Sequence, residues 1–143
     1  MAHSPRQARY FDKITHSERR VKNIEEWTKE INAIEDERTR LAIYKAAQEV
    51  VESIMDLIAM ILKDTKKLPK DDYTNIQLAY EEKLISKTEQ DLLIEANGLR
   101  NRLIHGYNGL NDNIAFTALK RLLPGLKNIL RKVKHWINNF FED

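Results

Sequence analysis

Apolar residues recur along most of this chain at intervals of three and four, the spacing of one face of an α-helix. Val21, Ile24, Trp27, Ile31 and Ile34 form such a stripe on a charged background and predict a helix over that stretch. Tyr10, Phe11 and Ile14 before it either extend that helix or make a separate short turn. Residues 38–63 are more apolar, with Ile43, Val50, Val51, Ile54, Leu57, Ile58, Ile61 and Leu62 interrupted only by a polar line through Lys45, Glu49, Glu52, Asp56 and Lys63. A helix apolar over most of its circumference belongs at the centre of a bundle. A charged connector follows, with Pro69 unable to continue a helix, and then a short helix over residues 73–82. Ser86-Lys87-Thr88-Glu89 is a capping box, opening a helix that carries Leu92, Leu93, Ala96, Leu99 and Leu103. Gly106 and Gly109 punctuate its end, and a last helix is expected over residues 113–140, kinked or interrupted at Pro124-Gly125. No strand alternation and no repeat is visible. The pattern predicts an all-α bundle of four to five helices, a single domain over residues 1–143, with residues 1–16 as a peripheral N-terminal extension.

Composition narrows the chemistry. With only 4 Gly and 3 Pro in 143 residues, a turn-dense all-β fold is excluded, and with no Cys so are disulfide scaffolds, thiolate metal sites and cysteine nucleophiles. Apolar residues make up 42% and charged residues 32%, and no apolar run approaches a membrane span or the core of a signal peptide, so a soluble, cytoplasmic protein with no membrane partner is expected. The net charge of +2 hides an asymmetry: residues 99–143 carry +5 and residues 41–98 carry −4. A basic third can attract phosphate, although in sequence the same charges can be spread around a helix.

Phosphate-loop, dinucleotide, zinc-protease and hydrolase-elbow motifs are all absent. His3, His16, His105 and His135 do not pair at metal-ligand spacing, so no metal and no cofactor is expected. One stretch stands apart: Arg100-Asn101-Arg102-Leu103-Ile104-His105-Gly106-Tyr107. Cations at a helix C-terminus followed by glycine are favoured by the helix dipole alone, and that reading needs no function. The functional reading is that Arg100, a permanent planar cation, receives a phosphate, while the His105 imidazole takes or gives a proton. Five residues of unbroken helix would set the two about 140° apart, so they share one cleft only if the helix ends between them. An arginine and a histidine without metal suit cleavage of RNA through the ribose 2′-OH, with Asn101 and Tyr107 adding an amide and a phenol.

Gly98 through Tyr107 resembles the R-x4-H-x-Y motif of HepT-like proteins, small all-α toxins of the HEPN superfamily often encoded beside a minimal nucleotidyltransferase (MNT). The helix Ala42 through Asp56 is similar to the family's second helix, and Leu68-Pro69, Asp72-Tyr73 and Leu84-Ile85-Ser86 resemble its connector. Residues 1–16 match less well, and Asn97 stands where a small or apolar residue is commoner. The resemblance implies a HEPN-type bundle and a metal-independent endoribonuclease of a type VII toxin–antitoxin module, working as a homodimer with the two motifs facing one cleft. By the same resemblance Arg100 and His105 are the catalytic pair, Asn101 is a supporting residue, and Tyr107 is the tyrosine that an MNT-type antitoxin adenylylates.

Asp56 lies on the polar line of the central helix, where a solvated face is the plain reading; the family pattern implies instead that it faces the cleft and orients Arg100 or Asn101. Lys120, Arg121, Lys127, Arg131, Lys132 and Lys134 are candidates to track an RNA backbone. A different class of function stays open at this point: a non-catalytic helical subunit holding a nucleotide or substrate for a minimal nucleotidyltransferase. A DNA-binding helix-turn-helix is not indicated, since no short basic helix follows a tight turn.

Overall fold

Each helix of the chain opens on a side chain that accepts a hydrogen bond from its own first turn. The computed structural model describes residues 4–106 and 109–142, and among these are five helices and no strand. They are α1 (Pro5–Trp27), α2 (Glu37–Asp64), α3 (Asp72–Glu81), α4 (Lys87–His105) and α5 (Asp112–Phe140). Ser4, Asp36, Asp71, Ser86 and Asn111 are the N-caps, each satisfying a backbone N–H that the helix itself leaves unpaired. At Ser86 the capping box is complete: the hydroxyl accepts from the Glu89 N–H at 3.1 Å and Glu89 Oε1 accepts from the Ser86 N–H at 2.8 Å.

α2 is the hub, touching all four other helices. Its Ile43, Ile54, Leu57, Ile61 and Leu62 are fully buried, each a side chain whose burial favours folding by roughly 1.5–3 kcal/mol. The polar line on α2 is the seam along which α1 lies. Arg6 pairs with Asp64 at 2.9 Å, Lys13 with Asp56 at 3.2 Å, and His16 and Arg20 with Glu49 at 2.8 and 3.3 Å. The segment expected to be a peripheral extension is accordingly the first half of α1, and Tyr10 and Ile14 within it are fully buried. Tyr10 meets Trp136 and Phe141 at ring-centroid distances of 6.1 and 5.8 Å, closing the start of the chain onto its end.

Two expectations about element ends are corrected. The stripe from Val21 to Ile34 is not one helix: α1 stops at Trp27, Thr28 Oγ1 donates back to the Ile24 carbonyl at 2.7 Å, and Asn32 takes a left-handed φ of 61°. Ile31 is therefore 89% exposed, because the turn points it away from every neighbour while Ile34 still packs on the core. α5 is not interrupted at Pro124-Gly125. Pro124 lacks the N–H that would reach the Lys120 carbonyl, but both residues are exposed, so water can take that carbonyl. Gly125 meets α4 closely: a Cβ there would lie 2.1 Å from Leu92 Cδ1.

Candidate active site

α4 carries the candidate site, and its inner face fixes how the polar residues are presented. Leu93, Ala96, Asn97 and Leu99 are buried against the bundle, which leaves Arg100 at the edge of that face and His105 on the exposed side. Arg100 is 17% exposed at its side chain. Its Nη2 donates to Asp72 Oδ2 at 3.2 Å and to Asn101 Oδ1 at 3.1 Å. Asp72 is the first residue of α3, where the helix dipole favours a carboxylate, so the acid is held in place independently of the arginine. The Nε of Arg100 and the Oδ1 of Asn97 are buried without a hydrogen-bond partner.

α4 runs unbroken through His105, the last residue before its C-cap, Gly106. The condition for Arg100 and His105 to converge in one chain is thus not met: the helix ends after the pair and not between them, leaving them about 140° apart. Arg100 looks toward the start of α3. His105 borders an open cleft of about 540 Å³ between the end of α4 and the start of α5. Asn101 and Arg102 share that cleft with Asn111, and Leu99, Leu110, Ile114 and Ala115 supply apolar walls. Gly106 is required at the cap, since a Cβ there would fall 2.4 Å from the Arg102 carbonyl oxygen.

Asp56 is not brought to Arg100. It is 61% exposed and pairs with Lys13 of α1, and the carboxylate beside Arg100 is Asp72. The reason is the rotation of α2, whose polar line faces α1. In sequence Asp72 is only the end of the charged connector before the short helix; its contact crosses 28 positions, beyond any local pattern. The basic C-terminal residues form no continuous free track. Arg121 pairs with Glu95, Lys127 with Glu25 at 2.9 Å, Lys132 with Glu89 at 2.6 Å and Lys134 with Glu18 at 3.9 Å. Much of the C-terminal excess of positive charge is thereby offset where it stands. Tyr107 lies outside the described residues. Among the described residues no group of three or more His, Asp or Glu is arranged to hold a metal ion, and no helix is long and apolar enough to cross a membrane.

A family model described as ribonuclease HepT-like matches residues 14–133. A protein of Archaeoglobus fulgidus that carries a provisional RNase name is 38% identical over 117 residues, covering 82% of this chain and 85% of its own. Among solved structures, the fold is similar to a tri-AMPylated HEPN toxin of Shewanella oneidensis in complex with an MNT antitoxin, with a TM-score of 0.80, 20% identity, and coverage of 88% of this chain and 96% of that one. It is also similar to a cytosolic protein of Bacillus subtilis, with a TM-score of 0.81, 13% identity, and coverage of 94% and 92%.

Proposed function

The chain belongs to the ribonuclease HepT-like family, and on that premise we propose that it is an RNase toxin whose catalytic pair is Arg100 and His105, acting across two copies of the chain. The observation that carries the two-copy reading is the unbroken α4. A side chain facing α3 and one facing the start of α5 meet over a single phosphate when a second α4 end is brought alongside, Arg100 of one copy opposite His105 of the other. Asp72 supports this arrangement by supplying a counter-charge that lets two guanidinium groups approach. The whole chain, including the first half of α1, acts as one domain.

The chemistry follows from the residue types. A neutral His105 takes the proton of a ribose 2′-OH, and the 2′-oxygen attacks the adjacent phosphorus. The bond from phosphorus to the 5′-oxygen breaks, and the His105 imidazolium formed in the first step returns its proton to the leaving oxygen, giving a 2′,3′-cyclic phosphate and a 5′-hydroxyl. Arg100 offsets the charge that accumulates on the phosphoryl oxygens, and Asn101, bonded to Arg100, supports it. The nucleophile belongs to the substrate, so the reaction needs no metal-bound water, and the enzyme is metal-independent.

The partner is an MNT-type nucleotidyltransferase acting as antitoxin. Its reaction joins the Tyr107 oxygen to the α-phosphorus of ATP, with pyrophosphate leaving and the phenol proton going to a base. An AMP two residues beyond His105 brings a negative phosphate to the end of α4 and competes with RNA for its cations. Support comes from the family match and from the AMPylated toxin that shares this fold.

The test is cleavage of a defined RNA by the purified protein in the presence of a chelator, with Arg100→Ala and His105→Ala as controls. The wild type is expected to leave cyclic-phosphate ends; both variants are expected to be inactive with unchanged helix content. Cleavage that strictly requires a divalent ion, or that survives Arg100→Ala, refutes the assignment.

A further inference from the structure

We propose that Asn97 is a positioning residue for Arg100, accepting the Nε–H of the guanidinium when the arginine turns from Asp72 to a substrate phosphate. The proposal rests on the reading of Arg100 as the catalytic cation. It starts from two orphaned atoms. Asn97 is 1% exposed and sits among the apolar residues Leu93, Ala96 and Leu99 on the inner face of α4. Its Oδ1 is a buried acceptor without a donor, and Arg100 Nε is a buried donor without an acceptor. The two residues are three positions apart on one helix, the spacing at which side chains are neighbours. A buried amide and a buried guanidinium nitrogen are both costly to leave unpaired, and here each is the complement of the other.

The contacts that Arg100 does make explain why the pair is open. Nη2 alone serves both acceptors, at 3.2 Å to Asp72 and 3.1 Å to Asn101, longer than the ~2.7–2.9 Å of a well-formed charge-assisted bond. The guanidinium is held by one tip and no two-pronged pair with Asp72 is formed. That is a resting arrangement, in which a carboxylate occupies the arginine. Anchoring Nε–H on Asn97 instead leaves the edge formed by Nη1 and Nη2 free, and that edge matches two phosphoryl oxygens. Asn97 thus fixes which edge of the cation meets the substrate, without touching substrate itself.

Three variants test this: Asn97→Leu, similar in size but unable to accept; Asn97→Ala, smaller; and Asn97→Asp, which keeps an acceptor. Asn97→Leu is expected to lower kcat about tenfold with KM nearly unchanged, because the orientation of the cation counts most for the charge that develops on the phosphoryl oxygens in the transition state. Its thermal midpoint is expected to stay at or above that of the wild type, because a buried unpaired amide has been removed. Asn97→Asp is expected to recover most of the lost kcat. As a direct readout, the Arg100 Nε–H resonance should become protected from solvent exchange when the wild type binds a 2′-deoxy, uncleavable RNA analogue, and should remain unprotected in Asn97→Leu. If Asn97→Leu fails to fold, Asn97→Ala and the resonance in the wild type carry the same test. Full kcat in Asn97→Leu, a KM effect at unchanged kcat, or an unprotected wild-type resonance overturns the proposal. Retained cleavage in Arg100→Ala overturns instead the assignment on which it rests.

Discussion

Replacing Tyr10 with Phe removes one oxygen from the bundle and tests whether the start of α1 belongs to the core. The phenol donates to Asp64 Oδ2 at 2.7 Å, and the same carboxylate is held by Arg6 through Nε at 2.9 Å and Nη2 at 3.0 Å. A hydrogen bond to a charged acceptor contributes about 1.5–3 kcal/mol, and the low end applies because Arg6 still covers the carboxylate after the change. About 1.5 kcal/mol corresponds to a fall in Tm of about 5 °C for a chain of this size. The loss must also depend on pH. Burial works against the charge of Asp64, but hydrogen bonds from Arg6 and Tyr10 and the guanidinium charge outweigh it and hold the carboxyl below its ordinary value of 3.8. A carboxyl depressed in the folded state stabilises fully above its unfolded value, and that stabilisation is lost as pH falls through the folded one. Urea titrations of both proteins at pH 7 should therefore differ by the full amount, and at a pH well below 3.8 the difference should shrink toward that of a neutral bond. An equal loss at both pH values refutes the reasoning. So does no loss at pH 7, which would make the segment as peripheral as its sequence first suggested.

Further outcomes follow from other positions. Gly106→Ala puts a Cβ 2.4 Å from the Arg102 carbonyl oxygen, so the last turn of α4 must shift; RNA cleavage should fall tenfold or more while most of the stability remains, since small displacements of catalytic groups can cost about 100-fold. Tyr10 and Tyr44 are both pushed above their ordinary value of 10, first by burial and then by their bonds to Asp64 and Asp112. A raised value favours the neutral phenol, so this stabilisation is complete below pH 10 and drains as pH rises past it; the urea midpoint should fall over that window, and less steeply in Tyr44→Phe. Ile31→Gln should change stability by no more than about 0.5 kcal/mol in a urea titration, because the side chain is 89% exposed despite its place in the apolar spacing.

What could be read in advance and what could not divide along the range of the interactions. The capping box at Ser86 and Glu89 closes over three residues, so the sequence contains all of it, and the helix starts where the pattern puts it. The apolar circumference of residues 38–63 likewise places α2 at the centre without knowledge of its neighbours. Periodicity fails where the chain changes direction while the spacing happens to persist. Ile31 keeps the interval, but Asn32 at a φ of 61° has already left the helix. It fails again for Asp56, because spacing fixes the angle of a residue around its own helix but not which helix lies on that side. The seam turned out to belong to α1, and Lys13 took the carboxylate that the family pattern assigned to the cleft.

The candidate site shows the same division within one motif. The angle between Arg100 and His105 was computable from five helical steps, and with it a condition: the helix breaks between them, or one chain does not bring them together. Only the helix end decides between these, and it is set by the cap at Gly106, where the Arg102 carbonyl leaves no room for a Cβ. With α4 intact through His105, the two groups stand on separate walls, Arg100 held at the start of α3 and His105 open to the cleft before α5. Within one copy the cleft that His105 borders is not lined by Arg100. If both are needed for one reaction, the second wall must come from another chain, so activity should fall with dilution more steeply than in proportion to concentration. Mixing Arg100→Ala with His105→Ala should restore cleavage at the one cleft face that keeps both groups intact. Cleavage strictly proportional to concentration down to the nanomolar range, with no recovery on mixing, would return the site to a single chain and require α4 to open before His105.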